Sequence, residues 1–198
     1  WIDSNSGGGY HLVAKIDDGS NSNWYYNGNR WTTSTEINPG NLVNLNDTEG
    51  VNRGYYQYVI QTGFRMGLHV PTPTAVSNYL SEPKSGKTAK QYFTDSANTH
   101  GSSRSRNDFL NWLAGAGTGF DNGFVQNMNT HQQNCNHRGF NATTATSYAR
   151  WGISGNNEND CNSNDSTIGF GAYHSTGGYD NASGGRSSHA LNTSRQAI

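Results

Sequence analysis

Apolar residues in this chain come in short alternating runs, and glycine or asparagine interrupts them before a long helix can form. Tyr10, Leu12, Ala14 and Ile16 alternate with His11, Val13, Lys15 and Asp17. Phe64, Met66, Leu68 and Val70 alternate with Arg65, Gly67 and His69. A period of two marks a strand with one face buried. Turn residues follow each run: Asp17-Asp18-Gly19-Ser20 after the first and Pro71 after the second. Tyr55 to Gln61, Tyr148 to Ile153 and Ile168 to Tyr173 read as further strands. Trp24-Tyr25-Tyr26 leads to Asn27-Gly28, a hairpin-type turn before Trp31.

Helical spacing is rare. Phe109, Leu110 and Leu113 share a face of residues 108 to 114, with Asn107 as N-cap and Gly115 and Gly117 as stops. Thr88 to Thr94 reads as a second short helix. No run of about 18 apolar residues is present, so no membrane-spanning helix is expected. The pattern predicts one α+β domain over residues 1–198. Its first half would be a regular scaffold with a small antiparallel sheet and few short helices. Its second half would be mostly loops.

Charged residues are 14% of the chain and the net charge is −1, which gives no basis for binding nucleic acid or an anionic membrane. Aromatic residues are 12%, far too many for a disordered chain. The chain starts at Trp1 without a leader, as expected of a mature product, an excised domain or a partial sequence. Abundant Asn, Ser, Thr and Gly favour turns and irregular backbone. These features together suggest an extracellular domain. Cys135 and Cys161 lie in polar, loop-like sequence. They are compatible with one disulfide closing a loop of about 26 residues, worth roughly 3–4 kcal/mol, or with two buried thiols. Asn-x-Ser/Thr sequons occur at Asn46, Asn141, Asn164, Asn181 and Asn192, about as many as this composition gives by chance.

Residues 156 to 165 read Asn-Asn-Glu-Asn-Asp-Cys-Asn-Ser-Asn-Asp. Oxygen-bearing side chains recur there at every second position. Calcium takes six to eight oxygens at about 2.3–2.6 Å, and an irregular loop with this spacing can turn several inward. Glu158, Asp160, Asn162, Asn164 and Asp165 are the candidate calcium ligands. The same residues would also suit a plain solvated loop. Asn156 and Asn157 are candidate polar contacts for a ligand, with Tyr173 and Tyr179 as aromatic surfaces. His174 and His189 fall in the same late stretch as either pocket or surface residues. Trp151 reads first as core. Asp17 to Asn21 fits a hairpin turn better than a second ion site. His131 and His137 flank Cys135, yet their spacing matches no common structural zinc pattern.

Several of these pieces resemble the fibrinogen-like C-terminal domain, in particular its intelectin-type (X-type lectin) branch and its bacterial or protist relatives. Gly7-Gly8-Gly9-Tyr10 through Ala14 resembles that fold's opening strand, and Asp18 to Trp31 its early hairpin. Gly54-Tyr55-Tyr56 and His69-Val70-Pro71 resemble intelectin positions in the same order. Gly155 to Cys161, followed by Ile168-Gly169-Phe170-Gly171-Ala172-Tyr173, resembles the calcium and glycan loop, and Ser194-Arg195 resembles the C-terminal region. The resemblance implies an extracellular fold, bound calcium and carbohydrate recognition. By the same comparison a final apolar strand after Ser194-Arg195 is missing. A longer stretch, Asn162 to Thr167, separates Cys161 from the glycine-rich tail, so the sugar preference of intelectins is not carried across.

The expectation is therefore a non-catalytic, calcium-dependent carbohydrate-binding or adhesion module with glycans as partners. The first alternative is a structural or protein-interaction domain within a larger extracellular assembly. A polysaccharide hydrolase would need two spaced carboxylates in one cleft, and acidic residues are scarce outside the loop. No Gly-x-Ser-x-Gly elbow, His-Glu-x-x-His or Walker-type phosphate loop is present.

Overall fold

The computed structural model describes residues 10–16, 22–43, 48–70, 76–96, 101–115, 137–143, 147–155, 166–174, 179–187, 193–194 and 196–197. Within them the chain is a sheet-rich α+β structure, with few short helices and antiparallel sheets. Strand β1 (Ala14–Lys15) pairs with β2 (Gly50–Val51). Strand β3 (Phe64–Val70) pairs along its full length with β4 (Val76–Glu82). A five-stranded sheet runs in sequence order through β5 (His137–Thr143), β6 (Ser147–Gly155), β7 (Ser166–His174), β8 (Tyr179–Ser187) and β9 (Thr193–Ser194). Strand β10 (Gln196–Ala197) then crosses to pair with His69 and Leu68 of β3. β10 thus follows Ser194-Arg195 as a two-residue strand.

The second half, expected to be mostly loops, holds the largest sheet among the described residues, while the first half holds the β3–β4 hairpin, two short helices and 3-10 turns at Ser22–Trp24, Asn29–Thr32 and Pro39–Val43. Asn27 and Gly28 therefore join two 3-10 segments and do not close a hairpin. The run expected as a strand from Tyr55 to Gln61 starts instead as helix α1 (Gly54–Gln57). The Asn52 carboxamide accepts the Gly54 backbone N–H at 2.8 Å and turns the chain into that helix.

The other two helices match their sequence signals. Helix α2 (Ala89–Thr94) opens on a capping box in which Thr88 and Gln91 satisfy each other's backbone N–H. Helix α3 (Arg106–Gly115) is capped by Ser105, not by Asn107. The Ser105 hydroxyl accepts from the Asp108 N–H at 3.2 Å, and the Asp108 carboxylate accepts from the Ser105 N–H at 2.7 Å. Those bonds hold the Asp108 carboxyl below its ordinary range. Among the described residues no helix is long and apolar enough to cross a membrane.

The core is aromatic. Trp24, Trp31, Tyr55, Phe109, Phe140 and Trp151 are all buried, and each such side chain contributes about 1.5–3 kcal/mol. A buried indole must place its N–H. Trp24 donates to Glu49 Oε2 at 3.0 Å, Trp31 to the Tyr25 carbonyl at 2.8 Å and Trp151 to Glu82 Oε1 at 3.1 Å. Glu49 also takes a two-pronged contact from Arg30. Glu82 is fully buried and takes a second bond from the Ser102 hydroxyl at 2.5 Å. Burial raises its carboxyl above the ordinary range against the bonds from Ser102 and Trp151, which lower it. This carboxyl ties β4, the segment before α3 and β6 together.

Candidate functional site

The hairpin of β6 and β7 carries Trp151, Tyr173 and His174 and is joined by residues 156–165, while Tyr179 opens β8. Its register pairs Gly155 with Ser166 at one end and Ser147 with His174 at the other. The acidic segment 156–165 is the connection at the first end, so its two anchor points meet there. The candidate ligands Asn156, Asn157, Glu158, Asp160, Asn162, Asn164 and Asp165 lie outside the described residues, as do Cys135, Cys161, His131 and His189. Among the described residues no three His, Cys, Asp or Glu side chains converge on one point.

Tyr173 and His174 stand at the opposite end. Seven strand residues separate Tyr173 from Ser166, roughly 23 Å at 3.3 Å per residue. The anchors of the acidic connection and the aromatic part of the expected site are two separate places on one hairpin.

At the tyrosine end the register assembles a site. Thr143, Tyr148, Tyr173 and Asp180 form one transverse row across β5 to β8, and Ser147, His174 and Tyr179 form the next. Tyr173, His174 and Tyr179 are therefore brought together. Tyr148 stacks on Tyr173 with ring centroids 5.2 Å apart and on Tyr26 with centroids 5.1 Å apart. All three rings are half-buried. The Arg150 guanidinium lies 4.5 Å over the Tyr26 ring, a cation–π contact. Among the described residues Tyr148 is thus shared by two rings, Arg150 covers Tyr26, and Tyr173 stands at the far end of the row.

Arg150 fixes this row to the body of the protein. Its Nε donates to the Tyr26 carbonyl at 2.7 Å, and one terminal nitrogen donates to the Phe93 carbonyl at 3.1 Å and Asn141 Oδ1 at 3.3 Å. Burial lowers its guanidinium from the ordinary value, and nearby Tyr26 and Tyr55 oppose that. Burial likewise raises the Tyr26 phenol. Gly171 makes room for the arginine stem. A Cβ there would lie 2.9 Å from Arg150 Cγ, and its φ of +57° disfavours any side chain. Asn141 is equally committed: it is buried and its amide donates to the Tyr92 and Asp95 carbonyls. The sequon at Asn141 is therefore closed to a glycan in the folded protein.

No family model, curated protein or solved structure matches the chain. Function must be read from the site itself.

Trp151 belongs to the other face. β6 has no positive φ, so Tyr148 and Trp151, three positions apart, point to opposite sides of the sheet. Trp151 packs on Phe109, Trp112 and Phe170 at centroid distances of 5.0, 5.0 and 5.4 Å. His137 is also structural, with Nδ1 donating to the Thr143 carbonyl at 2.8 Å. The sequence reading missed Tyr26, Tyr148, Arg150 and Asp180 as site residues. The signal for Tyr148 was present in its alternation with Trp151 along β6. Tyr26 had none, because a contact spanning 124 residues brings it in.

Proposed function

We propose that the chain is an extracellular, non-catalytic carbohydrate-binding or adhesion module of the fibrinogen-like kind. Calcium pins the 156–165 connection through Glu158, Asp160, Asn162, Asn164 and Asp165. Sugar stacks on the tyrosine row at the other end of the hairpin. The observation that carries this reading is the half-buried ring row Tyr26–Tyr148–Tyr173, bordered in register by Asp180, His174 and Tyr179. A sugar ring offers an apolar C–H face, which an aromatic ring covers, and hydroxyls, which need fixed polar partners. Tyr173 is assigned the first role, and Asp180, His174 and Tyr179, its neighbours in register, the second. With the anchors of the acidic connection about 23 Å away along the strand, calcium here stabilises the fold and does not ligate the sugar.

Two measurements test this. Thermal unfolding in calcium and then in chelator is expected to show a lower midpoint after chelation; an unchanged midpoint overturns the calcium assignment. A broad glycan array is expected to bind wild type and the Glu158→Gln variant and to lose Tyr173→Ala. Silence of the wild type favours the second reading, a protein-interaction domain of a larger extracellular assembly. That reading draws on the exposed Val43, Tyr58 and Val59, and concentration-dependent self-association in light scattering would support it.

A further inference from the structure

A cavity of about 440 Å³ opens beside β1 and β3, and none of Tyr26, Tyr148 and Tyr173 lines it. Its floor is made of Trp24, Trp31, Tyr55 and Phe93, all buried. These rings hold one another in place. Trp31 meets Trp24 edge-on with centroids 4.9 Å apart and lies 5.1 Å from Phe93, on which Tyr55 stacks at 6.2 Å. Their polar hydrogens are spent inside the protein: the Trp24 indole on Glu49 at 3.0 Å, the Trp31 indole on the Tyr25 carbonyl at 2.8 Å and the Tyr55 hydroxyl on the Trp31 carbonyl at 3.1 Å. Such a floor presents ring faces and edges, which an apolar molecule covers better than water does.

The walls are equally fixed. Met66 belongs to β3, which is paired along its length with β4. The Ile60 N–H donates to the Lys87 carbonyl at 3.0 Å, and its carbonyl accepts from the Gly86 N–H at 2.9 Å. Tyr58 and Val59, each about half exposed, stand at the mouth. An apolar cavity of about 150 Å³ already takes benzene, so this one has room for about two or three linked rings. We propose that this cavity binds a small neutral arene, its rings against Trp31 and Phe93. Binding gains from the apolar area it buries. A charged group carried to the floor would lose its hydration and meet donors already committed. The Arg65 guanidinium, also on the lining, is engaged over the Tyr10 ring at 4.3 Å and has no part in the site. The site is independent of the sugar and calcium assignments.

The test adds N-phenyl-1-naphthylamine, a neutral fluorescent arene, to the whole chain and compares it with 8-anilino-1-naphthalenesulfonate, the same rings carrying an anionic group. Saturable binding of about one neutral probe per chain is expected, with the sulfonate weaker by about tenfold or more. Naphthalene should displace the neutral probe. Ile60→Trp, which fills the wall, should weaken the neutral probe by about tenfold or more. Val43→Ser, at an exposed apolar residue outside the lining, should leave it unchanged. Absence of saturable binding to the wild type overturns the proposal, as does a folded Ile60→Trp protein with wild-type affinity. So does a sulfonate that binds as tightly as the neutral probe or more tightly, a comparison that needs no variant to fold.

Discussion

Two aromatic groups sit three residues apart on the same hairpin and do opposite things. Trp151 and Phe170 face α3 and disappear into the core with Phe109 and Trp112. Tyr148 and Tyr173 face the other way and keep part of their surface in water, stacked in a row with Tyr26. Strand alternation makes the split, and side-chain chemistry makes it useful. The indole hides its one polar group on Glu82, whereas a phenol keeps a hydroxyl that water or a ligand can meet. Around Tyr148 and Tyr173 the second face keeps partly exposed rings, whereas Gly152, Ser154 and Thr167 farther along it are buried.

Substitutions should separate the two faces. Trp151→Ala is expected to cost the most, about 3–5 kcal/mol, because it leaves a cavity among three rings and takes a donor from buried Glu82. Urea unfolding measures it, and a loss below that of Tyr173→Ala would break the comparison. Arg150→Met comes next, at about 3 kcal/mol, since it strips hydrogen bonds from the Tyr26 and Phe93 carbonyls and from Asn141. It should also loosen the tyrosine row, read as altered near-ultraviolet circular dichroism. Tyr173→Ala should cost only about 1 kcal/mol, the value of one partly exposed ring pair.

Much of the scaffold is legible in the sequence, because the strongest local signals coincide with the observed elements. The alternation from Phe64 to Val70 is β3, and Thr88 with Gln91 announces α2 as a capping box. The strands at Tyr148 and Ile168 are found with extended ends. What was illegible is the part of the sheet built from poor strand formers. Tyr179–Ser187 includes Ser-Gly-Gly, and His137–Thr143 includes two positive-φ residues, Gly139 and Asn141. Such segments become strands by pairing with β6 and β7, a tertiary effect that outweighs propensity. The same holds for the site. Tyr173, His174 and Tyr179 could be picked from their setting. Their union with Tyr26 depends on contacts that no local pattern encodes.

The smallest expected effect concerns the buried face. Glu82 binds its proton more tightly in the folded than in the unfolded chain, so its contribution is fully present below the ordinary carboxylate pKa and is lost as pH rises through the raised value. Glu82→Gln keeps an oxygen for Ser102 and Trp151 and removes the ionisation. Its melting temperature should match wild type in acid and exceed it increasingly toward neutral and alkaline pH. Parallel pH profiles for the two proteins would show that Glu82 is not the group responsible.

The division between the buried rings and the partly exposed tyrosine row is tested most directly by titrating the best array glycan into wild type, Tyr148→Ala and Tyr173→Ala by calorimetry, after unfolding curves show each protein folded. Saturable binding to wild type is expected, with about a twofold to tenfold loss in each variant, since a lost ring stack is worth about 0.5–1.5 kcal/mol. Undiminished affinity in both folded variants would contradict it.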